Sequence, residues 1–119
     1  MTPSEALLAG RKMVRRNSRA EAYIQFEGND PNKRPVAACA NGMLVLGYGL
    51  LGEWVTVDTD SLLVAHEPKL GAPARCPVRG CSLNRRLAYF SVADAVQHLN
   101  DLHRWSIPRI ASWLAETVA

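Results

Sequence analysis

The sequence predicts an α+β fold: a small β-hairpin with packed helices and a C-terminal Cys2His2 unit. Three observations predict it. Helix-start signals recur at Thr2-Pro3-Ser4-Glu5, Asp58-Thr59-Asp60-Ser61, Ser91-Val92-Ala93-Asp94 and Ser106. Alternating apolar residues are concentrated in a short stretch around Ile24. Cys76 and Cys81 are followed, after sixteen residues, by His98 and His103, and each pair encloses four residues.

The first helix starts at Pro3, with Thr2 as cap and Glu5 completing a capping box. Its pattern predicts a run to about Asn17, with Ala6, Leu7, Gly10, Met13 and Val14 near one face. Arg11, Lys12, Arg15 and Arg16 make its second half positive, which suits the negative end of the helix dipole and equally a phosphate ridge. Arg19 falls at or past the helix end. Glu21 to Glu27 reads as a half-buried strand with Ala22, Ile24 and Phe26 inward. A polar turn from Gly28 to Pro35 leads to a returning strand, Val36 to Cys39, and so to a hairpin.

Residues 40–48 are predicted as a buried helix. Its small residues, among them Gly42 and Gly47, allow close backbone approach. Cys39 opens this helix, either as a reactive thiol at a helix N-terminus or as a small buried hydrophobe. Trp54 to Val57 is expected to be a short strand. Asp58 then caps a brief helix through Ala65, ended before Pro68. Asp58 and Asp60 lack the glycine and later glutamate of a calcium loop. The domain reading is an α+β region over 1–68, a linker over 69–75 and a metal-binding unit over 76–119.

Cys76, Cys81, His98 and His103 match the ligand set and approximate spacing of a closed Zn2+ site. Pro77 and Gly80 let the first loop fold back, and its N–H groups can donate to the sulfurs. Ser91 starts the histidine helix, whose apolar stripe is Ala95, Val96, Leu99 and Leu102. His98 and His103 are five apart and do not quite eclipse on an ideal helix, so a final turn that tightens or frays is expected to bring His103 round. Arg85 to Phe90 is expected as a strand, giving the order knuckle, strand, helix, helix. Ser106 caps the final helix, read as a brace on the zinc-bearing helix with Ile110, Trp113 and Leu114 inward. Its exposed Arg109, Ser112 and Glu116 are few for reading bases. Four protein ligands leave no position for a catalytic water, so a structural ion and a non-enzymatic protein are expected. His98, Asn100 and His103 superficially resemble an HNH nuclease set, but the strand-borne histidine of that chemistry is not apparent.

Net charge is +3, unevenly placed. Residues 1–35 carry seven Lys/Arg and four acids, 36–68 four acids and no Lys/Arg, and 69–119 seven Lys/Arg and three acids. Arg11, Lys12, Arg15, Arg16, Arg79, Arg85, Arg86 and Arg104 are the candidate nucleic-acid contacts. Three cysteines argue against an extracellular disulfide framework. No apolar run is long enough to span a bilayer and the N-terminus lacks a signal-peptide pattern, so a cytoplasmic protein without a membrane partner is expected.

The C-P-V-R-G-C run followed by H-L-N-D-L-H-R-W-S-I-P-R-I-A-S-W-L resembles a group of small phage and prophage proteins. Their C-termini read C-P-x-x-G-C and then close variants of H-L-N-D-x-H-x-W-S/T-R-x-x-I-A-x-W-L. Ile107-Pro108-Arg109 departs from the arginine that usually follows the serine. The resemblance implies a phage or prophage origin, hence host cytoplasm or a virion, and the same four ligands; it implies no activity. The expectation is an accessory or regulatory protein binding a host or phage protein, with DNA or RNA binding as the alternative.

Overall fold

The structure is a computed structural model and describes residues 1–19, 23–54, 56–82, 84 and 90–118. The chain starts as its cap dictates. Thr2 Oγ1 accepts from the Glu5 N–H at 3.2 Å, and Glu5 accepts from the Thr2 N–H at 2.8 Å. Helix α1 (Pro3–Lys12) follows. It stops short of the expected Asn17 because the chain leaves to pair with a sheet. Arg15 N–H donates to Val36 O at 3.0 Å, and strand β1 (Arg16–Asn17) runs parallel to a later strand. The Arg11 guanidinium bonds Val14 O at 2.9 Å beyond the helix end.

The predicted hairpin is present. Strand β2 (Ile24–Phe26) pairs antiparallel with β3 (Pro35–Ala38), Ile24 opposite Ala38. With β1 on the other side of β3, the sheet order is β1-β3-β2. Gly28 and Asn29, at φ 62 and 58, supply the left-handed residues of the connecting turn. Of the strand expected over 21–27, residues 21 and 22 lie outside the described residues.

Helix α2 (Ala40–Gly47) is the buried helix expected, with Ala40 through Leu46 all buried. It crosses α1 at backbone contact. A Cβ on Gly10 would overlap the Met43 carbonyl, and one on Gly47 would overlap that of Ala6. Gly49, at φ 73, turns the chain out of α2.

The strand expected over 54–57 is not formed, because Trp54 closes a short helix, α3 (Leu51–Trp54). Glu53 and Trp54 N–H both return to Leu50 O at 3.1 Å, and the Trp54 indole donates to Thr59 Oγ1 at 2.9 Å. The indole is thus anchored to the next helix rather than to a sheet neighbour. Helix α4 (Thr59–His66) is capped by Asp58, as read. Within residues 69–75, Leu70 is fully buried, and Ala74 N–H bonds Phe90 O at 2.7 Å.

Helix α5 (Val92–Asp101) opens on the Ser91–Asp94 capping box. Ala95, Val96 and Leu99 are buried, whereas Leu102 is 64% exposed, outside the stripe assigned to it. Leu102 comes after the helix ends, so the helical period no longer sets its direction. Helix α6 (Ile107–Thr117) starts at Ser106. It packs chiefly on α1, not on α5 as expected, and Ser4 Oγ donates to Ala111 O at 2.8 Å across that contact. Ile110 and Leu114 are buried there and join the same core as Leu7, Met43, Val96 and Leu99. Among the described residues, no helix is long and apolar enough to cross a membrane.

Candidate metal centre

Cys76 and Cys81 sit on one reversed loop. Gly80 takes φ 79, a conformation open to glycine without steric cost, and Cys81 N–H returns to Val78 O at 3.2 Å. Val78 N–H is directed to the Cys76 sulfur, the expected donor to a thiolate. Asn84 pins the loop: its Oδ1 accepts from Cys76 N–H and its Nδ2 donates to Cys76 O, both at 3.0 Å. One amide side chain therefore satisfies both backbone groups of a ligand residue.

The histidines come from the end of α5. Leu102 N–H and His103 N–H both reach His98 O, at 2.9 and 3.5 Å. The second of these is a five-residue bond, so the final turn widens rather than tightens. That change of pitch brings His103 beside His98, with ring centroids 4.6 Å apart and planes perpendicular. Phe90 meets the His98 ring edge-on at 5.6 Å and helps fix its orientation. Arg104, at φ 55, then reverses the chain, and Trp105 N–H closes onto Leu99 O at 2.9 Å.

The donor atoms of Cys76, Cys81, His98 and His103 all lie within 4.8 Å of one another. A tetrahedral zinc with ordinary bond lengths places neighbouring ligand atoms about 3.4–3.8 Å apart. Cys81 Sγ and His98 Nε2 are 3.4 Å apart. The Nε2 atom of His103 is buried with no hydrogen-bond partner. Burial holds the Cys76 thiol above its usual range, despite the Val78 N–H. Burial, reinforced by His103, holds His98 below its usual range, which favours the neutral imidazole that coordinates metal. Two soft thiols and two imidazoles fit a divalent ion such as zinc, whose charge would stabilise the thiolates. The cluster can therefore hold a metal ion.

A pair of asparagines ties this centre to the sheet. Asn100 Nδ2 donates to Asn17 Oδ1 at 2.7 Å, and Asn17 Nδ2 returns to Asn100 Oδ1 at 2.9 Å. The remaining amide hydrogens bond Trp105 O at 3.2 Å and Ala38 O at 3.1 Å. Asn100 is fully buried, and its amide is committed to these contacts. Nothing in its sequence position announces a partner 83 residues away.

Cys39 lies outside the cluster. It is fully buried at the start of α2, and burial pushes its thiol up to about 11, although the Gly42 and Asn41 N–H groups act the other way. Burial outweighs the helix N-terminus, and the thiol is the inert one of the two alternatives.

The candidate basic residues divide. Arg11, Arg15 and Arg16 line one cleft, while Lys12 is exposed outside it. Arg79 is exposed on the cysteine loop and Arg104 on the turn after the histidines. Arg85 and Arg86, and most of the strand expected over 85–90, lie outside the described residues. Arg19, which the sequence left at the ragged end of a helix, lines the cleft with the first three. Comparison with protein-family models, curated proteins and solved structures finds no match to this chain.

Proposed function

We propose that the cluster holds one structural Zn2+ and that the protein is a non-enzymatic, zinc-stabilised binding protein, an accessory or regulatory protein of phage type. The carrying observation is the convergence of four protein donors within 4.8 Å. Four such ligands complete a tetrahedron and leave no site for an activated water. The ion then joins the cysteine loop to the end of α5. The unit is a knuckle and a helix followed by a helix turned back onto α1. Arg109 stacks over Trp105 at 3.9 Å, which engages the one basic side chain on the outer face of α6. This supports recognition by a surface other than a base-reading helix.

Metal analysis of untagged, reduced protein tests the reading, with a melt before and after chelation. One zinc per chain and a large loss of thermal stability on chelation are expected. Metal-free protein with an unchanged melt would overturn it.

A further inference from the structure

A second constellation lies away from the metal. Arg11, Arg15, Arg16 and Arg19 line one cleft of about 530 Å3, together with Ser106 and Pro108 at the N-terminus of α6. We propose that this cleft binds the backbone phosphates of a polynucleotide. The inference goes beyond the zinc reading, since it names the partner and a different surface.

Three features of the cleft support it. Four arginines line one cleft, and none has a carboxylate partner among the described residues; the ion pair seen among those residues, Arg34–Glu27, lies elsewhere. Like charges brought together without compensation are costly, and a polyanion relieves them. Secondly, Arg19 Nε is buried without a hydrogen-bond partner. A guanidinium N–H withdrawn from water is poorly satisfied until an anionic oxygen meets it. Thirdly, the positive end of the α6 dipole faces the same space. Pro108 has no N–H and Arg109 N–H is taken by Ser106 Oγ at 3.4 Å, so this helix contributes its dipole more than free donors.

The cleft is also held in shape. Arg11 is fixed on Val14 O at 2.9 Å and Arg16 on Gln25 Oε1 at 2.7 Å. Each retains further donors on its guanidinium. Asn17, which also lines the cleft, is locked to Asn100 on the metal-bearing helix. A space of about 530 Å3 suits a nucleotide-sized unit rather than a lone ion. Several guanidiniums spread around it suit the repeated charges of a backbone, whereas a single phosphoamino acid presents one.

The test is fluorescence anisotropy of metal-loaded, full-length protein with labelled single- and double-stranded oligonucleotides across a salt series. Arg19→Ala is expected to weaken binding roughly tenfold or more. The salt slope should fall by about one phosphate contact. Lys33→Ala removes equal charge from the exposed hairpin turn, outside the cleft, and should change affinity less than about twofold. Arg19→Lys should recover only part of the loss, because it lacks the fork. Should Arg19→Ala unfold, Arg15→Ala, an exposed residue of the same cleft, decides in its place.

Equal losses for Lys33→Ala and Arg19→Ala would overturn the cleft, as would no oligonucleotide binding at all. Displacement by inorganic phosphate or a mononucleotide at matched phosphate concentration would reassign it to a small ligand. Tighter binding of a phosphoserine peptide would reassign it to a protein partner. Zinc-loaded protein that fails to bind would sink this inference alone; metal-free folded protein that binds through Arg19 would sink the zinc reading alone.

Discussion

The α1–α2 crossing and the cysteine–histidine end are built in opposite ways. At the crossing, glycines let two backbones touch, and Leu7, Met43 and Leu44 are fully buried around them. At the cysteine–histidine end, two loops carry Gly80 at positive φ, Arg104 at positive φ and an exposed Leu102. One region is specified by shape and apolar burial; in the other, four donor atoms that could hold a metal ion converge beside a few amide bonds. Shape fails gradually as atoms are added or removed, whereas a ligand set fails when one member is lost.

The largest test of that contrast is Cys81→Ser. It should abolish stoichiometric metal binding and lower the melting temperature by about 20 °C. Hydrogen exchange should show lost protection around His98 and retained protection in α2. Uniform loss through both regions would remove the distinction. Gly47→Ala probes the other side: its Cβ meets the Ala6 carbonyl, and a loss of about 3 kcal/mol is expected in a denaturant titration. Its metal content should stay unchanged.

Asn100→Ala acts on the joint between the two regions. It leaves Asn17 Oδ1 and Trp105 O without their donor, so about 2–3 kcal/mol should be lost. Faster zinc loss under chelator challenge would show that Asn100 supports the centre; an unchanged rate would show that it serves the sheet alone.

The smallest effect at neutral pH concerns Cys39. Its thiol ionises near the ordinary 9.0 when unfolded and near 11 in the fold. It is neutral in both states at pH 7, and its burial lowers stability only as pH rises from 9 towards 11, by an amount on the order of 2 kcal/mol. Cys39→Ala should flatten that alkaline decline. In thiol labelling at neutral pH, chelation should expose Cys76 and Cys81, with Cys39 reacting only on global unfolding.

Much of both regions was legible before folding. Thr2, Asp58, Ser91 and Ser106 announce helix starts because a cap acts within three residues. The ligand spacing of Cys76, Cys81, His98 and His103 is local within each pair, and the four converge. The hairpin return over Pro35–Ala38 follows from its apolar run and the polar turn before it.

What the sequence determined by itself, then, were caps, turns, the buried α2 and the spacing within each cysteine and histidine pair, since each depends on neighbours a few residues apart. Tertiary structure decided where α1 stops, because Val36 O claims the Arg15 N–H. It turned α6 onto α1 and closed Trp54 into a helical turn. It also paired Asn17 with Asn100 and gathered Arg11, Arg15, Arg16 and Arg19 beside α6. Those outcomes depend on hydrogen bonds and charges between segments distant in sequence. A local pattern carries no record of such partners until chain closure brings them within reach.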